Sequence, residues 1–170
     1  MNDRIERAFN EQLNAELYSS YLYLAMNAYF HSINLPGFAN WMMVQAQEEL
    51  QHGMKFYDFI VDQGGRVILT SIEGSQLKWD SPLAAFEHQQ AHEKKVTGLI
   101  NKLVDLSIEV KDHAAHEFLL WFVKEQVEEE ANARDLVAKA AMVCDDGPGL
   151  FMLDRDLASR PHKIVPAKKE

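Results

Sequence analysis

Four glutamates fall near the middle of four long predicted helices, each within a row of mostly apolar residues. They are Glu16, Glu49, Glu93 and Glu129. A buried, ionised carboxylate costs several kcal/mol even after the protein relaxes. Four without partners would therefore exceed a typical unfolding free energy of roughly 5–15 kcal/mol. No lysine or arginine stands in these rows, so bound cations are the better partners, and two divalent ions would balance four carboxylates.

The presence of His52 beside the glutamates limits which metal ions the site would suit. His52 follows Glu49 by three positions, which places the two side chains about 60° apart around a helix and within reach of one ion. Carboxylates are hard oxygen donors and imidazole is a borderline nitrogen donor, a set that suits iron or manganese and tolerates zinc. A lone Glu-x-x-His occurs by chance, but together with three glutamates on three other helices it is a specific pattern.

The elements that must position these side chains are four long helices and one short one. In the second, for example, the buried row recurs at intervals of three and four and reads Phe38, Met42, Gln45, Glu49, His52, Phe56 and Phe59. Turn residues and caps separate the helices. The predicted spans are about Asp3–Ser32, Pro36–Gln63, Ser81–Lys111, Asp112 to just before Asp145, and Leu150–Leu157.

The connections predict the topology. Short links join helices one to two and three to four, so each of these pairs should be antiparallel. The long link between helices two and three has room to run the length of the bundle. We therefore predict an all-α fold, a four-helix bundle with one long crossover and a short fifth C-terminal helix. Residues 1–158 form one domain, and the polar, proline-containing tail at 159–170 is predicted to be disordered.

Composition excludes several classes of protein. The chain has 170 residues, 47% of them hydrophobic, and a net charge of -9, which argues against nucleic acid as a partner. Cys144 is the only cysteine, so neither a disulfide framework nor a cysteine-based zinc site is possible. The N-terminus lacks the apolar stretch of a signal peptide, and the longest apolar run, Phe118–Val123, is too short to span a membrane. We expect a cytoplasmic protein without membrane partners.

These features resemble the non-haem ferritins of bacteria and archaea over about Ile5–Leu157. Four segments carry the resemblance: Asn10–Ser20, Gln47–His52, His92-Glu93 and Glu125–Glu130. The resemblance implies a ferritin-like di-iron domain. It also implies that haem is absent, because Leu50 stands where haem-binding bacterioferritins have methionine.

The resemblance further implies a role for each site residue. At one position of a ferroxidase centre, iron would bind Glu16, Glu49 and His52. At the second, iron would bind Glu49, Glu93 and Glu129, with Glu49 bridging and Gln126 nearby. Tyr23 matches the tyrosine found beside such centres, although a core tyrosine would fit the row as well. A third iron site on the inner surface would use Glu48, Glu125 and Glu128 and share Glu129, although such a glutamate run is also typical of a solvated face.

The function that this resemblance implies is iron storage with ferroxidase activity. Fe(II) would be oxidised by dioxygen or peroxide at the di-iron centre, and Fe(III) would be stored as a mineral inside a hollow homo-oligomeric shell of 24 subunits. Two alternatives stay open. The chain could be a di-iron oxygenase or peroxidase that keeps its metals as a permanent cofactor, or a metal-free structural bundle whose glutamates face a wet cavity.

Overall fold

Five helices build the chain in the computed structural model, which describes residues 1–143 and 145–162. They are α1 (Asp3–Ser32), α2 (Pro36–Asp62), α3 (Pro82–Glu109), α4 (His113–Val143) and α5 (Gly147–Leu157). The predicted all-α fold with a short fifth helix is confirmed, and the described residues form no strand. The largest difference lies at α5, which starts before the predicted Leu150 because Asp146 caps it by accepting the Gly149 N–H.

Side-chain caps also mark the starts of α1 and α3. The Asn2 side chain accepts the N–H of Arg4 at 2.9 Å, and Ser81 accepts that of Ala84 at 3.0 Å at the head of α3. Between α1 and α2 the chain reverses within three residues. Asn34 has a φ of 61° there, a left-handed conformation that asparagine adopts more readily than most residues.

The long link between α2 and α3 runs along α1. Near one end, Asn10 accepts a hydrogen bond from the N–H of Ile68 at 2.6 Å. Near the other, the ring of Trp79 packs against that of Tyr29 at 5.3 Å between centroids. Asn10 and Tyr29 are about 28 Å apart along a helix that rises about 1.5 Å per residue. The link therefore returns to the far end of the bundle, which confirms the predicted crossover.

The core consists of two apolar clusters with a polar layer between them. One cluster contains Phe30, Phe38 and Phe86, and the other contains Phe9 and Phe56. Of the row predicted in α2, every residue is buried except Phe59, which is half-buried. Among the described residues, no helix has the length and apolar character needed to cross a membrane.

α5 docks on the start of α2 and completes it. Leu35, at the N-cap of α2, makes no side-chain cap. Asp154 of α5 instead accepts the N–H groups of Gly37 at 2.8 Å and Phe38 at 3.0 Å. A Cβ at Gly37 would lie 1.6 Å from the Asp154 carbonyl oxygen, so this close approach requires glycine.

The chain after α5 is described only as far as His162. Within that part, Arg160 contacts α2 through its side chain and its carbonyl oxygen. Residues 163–170 of the tail predicted to be disordered, and Cys144, lie outside the described residues. The domain boundary at residue 158 stays a prediction.

Candidate metal centre

Seven of the predicted site residues lie together in the polar layer between the two apolar clusters. α1 contributes Glu16 and Tyr23, α2 contributes Glu49 and His52, α3 contributes Glu93, and α4 contributes Gln126 and Glu129. None of them is more than 5% exposed. Each helix presents its residues here because the rows of three- and four-residue spacing face the bundle axis.

Three of these side chains form a pocket of ligand atoms. Glu16, Glu49 and His52 each offer one atom, and these atoms all lie within 4.8 Å of one another. The His52 Nδ1 is 3.5 Å from the Glu49 Oε2. Oε2 of Glu16 and Oε1 of Glu49 are buried without a hydrogen-bond partner, and each such atom costs about 1–3 kcal/mol. A bound cation would satisfy both oxygens.

Uncharged donors hold the other two carboxylates. Glu93 accepts hydrogen bonds from the Tyr23 hydroxyl and from Gln126 Nε2, the latter at 3.4 Å. Glu129 accepts one from Gln45 Nε2 at 3.0 Å. These amides and the phenol orient the carboxylates and leave their negative charge uncompensated, as a cation-binding site requires.

Burial and the charges of neighbouring carboxylates raise the pKa values of the four glutamates in the layer. Burial, and then the charge of Glu49, raises the pKa of Glu16 to about 8. Burial, and then Glu93, raises the pKa of Glu129 to about 7. The pKa of Glu49 rises well above its ordinary value through burial and the charges of Glu93 and Glu129, and burial also raises that of Glu93. Near neutral pH the metal-free layer therefore holds protons, which incoming cations would replace.

Comparison with known proteins decides the family. The ferritin family, described as "Ferritin-like domain", matches residues 6–143, which contain all the residues of the layer. The chain belongs to the ferritin family. Membership of this family supports a role in iron storage.

Individual ferritins match almost the entire chain. It is 41% identical to a bacterial non-heme ferritin of Bacteroides fragilis over 160 residues, which cover 94% of this chain and 99% of the relative. Among solved structures, an engineered closed form of the Archaeoglobus fulgidus ferritin is 50% identical with a TM-score of 0.95, covering 96% of this chain and 99% of that one. The open-pore ferritin of the same archaeon is also 50% identical, with a TM-score of 0.94 and coverage of 95% and 99%.

Sequence reasoning missed several residues that support the side chains of this layer. Gln12 donates to Glu16 Oε1 at 2.7 Å; its position one helical turn earlier was a usable signal. Gln45 belongs to the predicted α2 row, but no pattern in the sequence indicates its hydrogen bond to Glu129. The ring of His52 packs edge-on against Trp121 with centroids 5.4 Å apart, and no pattern marked Trp121 because it lies outside the row of α4.

The residues predicted for a third iron site are less uniformly placed. Glu48 is buried and Glu125 half-buried, whereas Glu128 is exposed. The charge of Glu48 contributes to the raised pKa values of Glu49 and Glu129, so Glu48 lies beside the layer. Its Oε2 forms an ion pair with Arg160 Nη2 at 2.6 Å. The third site stays a prediction.

Proposed function

We propose that this ferritin stores iron and that its polar layer is a ferroxidase centre which oxidises Fe(II) with dioxygen or peroxide. The observation that carries the proposal is the group formed by Glu16, Glu49 and His52, in which two buried carboxylate oxygens lack a hydrogen-bond partner. In a metal-free structural bundle, these two unsatisfied oxygens would permanently lower the stability of the fold. Around a cation, the same atoms are ligands.

The two irons would divide the layer between them. Glu16, Glu49 and His52 would bind one, and Glu49, Glu93 and Glu129 the other, with Glu49 as the shared ligand. Tyr23 and Gln126 would orient Glu93 through the hydrogen bonds described above. Gln126 is also proposed to lie at the second iron, where a neutral amide binds more weakly than a carboxylate. That weakness favours departure of the product.

The carboxylates of the layer supply the negative charge that binds Fe(II) and release protons when it binds. Two Fe(II) entering the layer displace protons from the raised-pKa carboxylates. The two Fe(II) then lose two electrons in total, which with two protons reduce one dioxygen to hydrogen peroxide and leave two Fe(III). Holding both irons on one set of ligands gives the proximity that a two-electron step needs. Fe(III) would then pass inward and hydrolyse to mineral.

Storage further requires a closed shell, which we propose to be a cytoplasmic homo-oligomer of 24 subunits. Two large apolar side chains of α5, Phe151 and Met152, are 70% and 67% exposed. Exposed apolar surface of this kind is typical of a protein interface. It supports our proposal that α5 contributes to contacts between subunits.

Aerobic addition of Fe(II) to the metal-free protein tests the proposal. We expect a large particle by light scattering that retains far more iron than two ions per subunit. After one pair of Fe(II) per subunit is oxidised, the fast oxidation phase should recover with time for a second pair. If the first pair stays in place and never leaves the centre, the iron is a permanent cofactor, as in an oxygenase or peroxidase. A stable monomer that binds no iron pair would favour the structural bundle.

A further inference from the structure

Arg160, which follows the end of α5, turns back onto α2 and lies beside the proposed centre. Its Nη2 is 2.6 Å from Glu48 Oε2, and its Nη1 donates to Gln45 Oε1 at 2.6 Å. Its guanidinium carbon lies over the ring of Trp41, 4.0 Å from the centroid. The side chain is only 17% exposed. Both terminal nitrogens of the guanidinium thus have an oxygen partner, and its positive charge lies against Glu48.

The backbone around Arg160 is anchored as well. Asn40 Nδ2 lies 3.2 Å from the carbonyl oxygen of Leu157 and 3.0 Å from that of Arg160. Further along, Gln47 Nε2 is 3.2 Å from His162 Nδ1. Since α5 is itself bound to the start of α2 through Asp154, the guanidinium is held in place from both sides.

Gln45 connects Arg160 to the polar layer. It is fully buried, and its amide donates through Nε2 to Glu129 Oε2 while its Oε1 accepts from Arg160. The two contacts demand the same orientation of the amide. Without the guanidinium, the amide could reverse and direct its oxygen at the carboxylate.

We propose that Arg160 is a positioning residue that serves as the resident cation at Glu48 and aims Gln45 at Glu129. A third metal ion that uses Glu48 must displace the guanidinium, so Arg160 limits binding beside the centre. This inference rests on the proposed function, because it assumes metal ions in the layer. It predicts that removal of the arginine charge opens a metal site that is weak in the parent protein.

The test is an anaerobic calorimetric titration of the assembled, metal-free, full-length protein with Co(II), a divalent cation that stays in the Co(II) state when dioxygen is excluded. We expect two tight Co(II) per subunit in the parent. In Arg160→Gln, a third Co(II) should bind about tenfold more tightly than in the parent, the change that corresponds to about 1.4 kcal/mol. Arg160→Lys, which keeps the charge, should behave like the parent.

Two controls isolate the effect. Arg155→Gln removes the same charge from an exposed position of α5 and should leave Co(II) binding unchanged. In a Glu48→Gln background, Arg160→Gln should no longer strengthen the third site, because the carboxylate that the guanidinium occupies is gone. The absorption bands of bound Co(II) provide an independent count of the occupied sites.

The outcomes separate this inference from the proposed function. If the parent binds no pair of Co(II), the proposed function is wrong. If the pair binds but Arg160→Gln titrates like Arg155→Gln, Arg160 merely anchors the chain after α5. The inference is also overturned if the gain persists in the Glu48→Gln background, or if Arg160→Lys gains as much as Arg160→Gln.

Discussion

Lowering the pH should stabilise the metal-free protein, the opposite of ordinary acid denaturation. Glu16 has a pKa of about 8 in the folded chain against an ordinary value of 4.5. Between these values the folded state holds a proton that the unfolded state has lost, so its stability falls as the pH rises. From pH 8 to pH 6, Glu16 alone should add about 2 kcal/mol to the unfolding free energy, and Glu129, with a pKa of about 7, should add about 1 kcal/mol.

One buried histidine opposes this trend. Burial lowers the pKa of His92 to about 4, and its Nε2 is 2.7 Å from Ser19 Oγ. A histidine held neutral in the folded state loses about 1 kcal/mol of relative stability over the same pH interval, because the unfolded chain takes up a proton. The net change remains a gain of about 2 kcal/mol.

Guanidinium denaturation of metal-free parent and Glu16→Gln, run in parallel at pH 8 and pH 6, measures the effect. The variant keeps the side-chain shape and an oxygen that can accept from Gln12, but it cannot titrate. We expect its unfolding free energy to change by about 2 kcal/mol less than that of the parent. Added Zn(II) should stabilise the parent more at pH 8 than at pH 6, because bound metal requires ionised carboxylates. Equal pH dependence in parent and variant would show that Glu16 is not protonated in the folded chain.

Three further outcomes test the site and the fold. Glu49→Ala should abolish paired Co(II) binding and fast Fe(II) oxidation without destabilising the metal-free bundle, which titration, stopped-flow and thermal melting will show; a much lower melting temperature would make Glu49 a structural residue. Tyr23→Phe should leave the Co(II) stoichiometry at two but slow oxidation, because Glu93 loses a donor; an unchanged oxidation rate would assign the tyrosine to core packing. Asp154→Ala should lower the unfolding free energy by about 1–2 kcal/mol, since two N–H groups at the start of α2 lose their acceptor, and a change close to zero in denaturant melts would contradict that role.

The sequence was sufficient for every feature that depends on local periodicity. The helices, the crossover, the four glutamates and His52 follow from spacing and turn residues, because a row that recurs at three and four positions can bury only one face. Tyr23 and Gln126 were implied as site residues only by the resemblance to ferritins. Contacts between distant segments were not accessible in this way. Asp154 caps a helix that starts more than a hundred residues earlier, and nothing near Leu35 or Asp154 in the sequence marks the pair.

The position of Arg160 beside Glu48 could not be predicted from the sequence either. In the sequence, the tail is polar and basic, and the path of its described residues 159–162 over α2 depends on the docking of α5. The position of Glu48 beside the layer, in contrast, follows from its adjacency to Glu49. What could not be predicted was that a guanidinium of the same chain would occupy it.

Because the core is divided into two apolar clusters, the residues that stabilise the fold by apolar packing differ from those of the proposed metal centre. Replacing buried ionisable groups by well-packed apolar residues is often neutral or stabilising. A subunit whose layer is rebuilt from leucine and methionine should therefore fold and assemble while being inert. Mixing such inactive subunits with active ones would give hybrid particles, and the mixing ratio would set the average number of active centres in each particle.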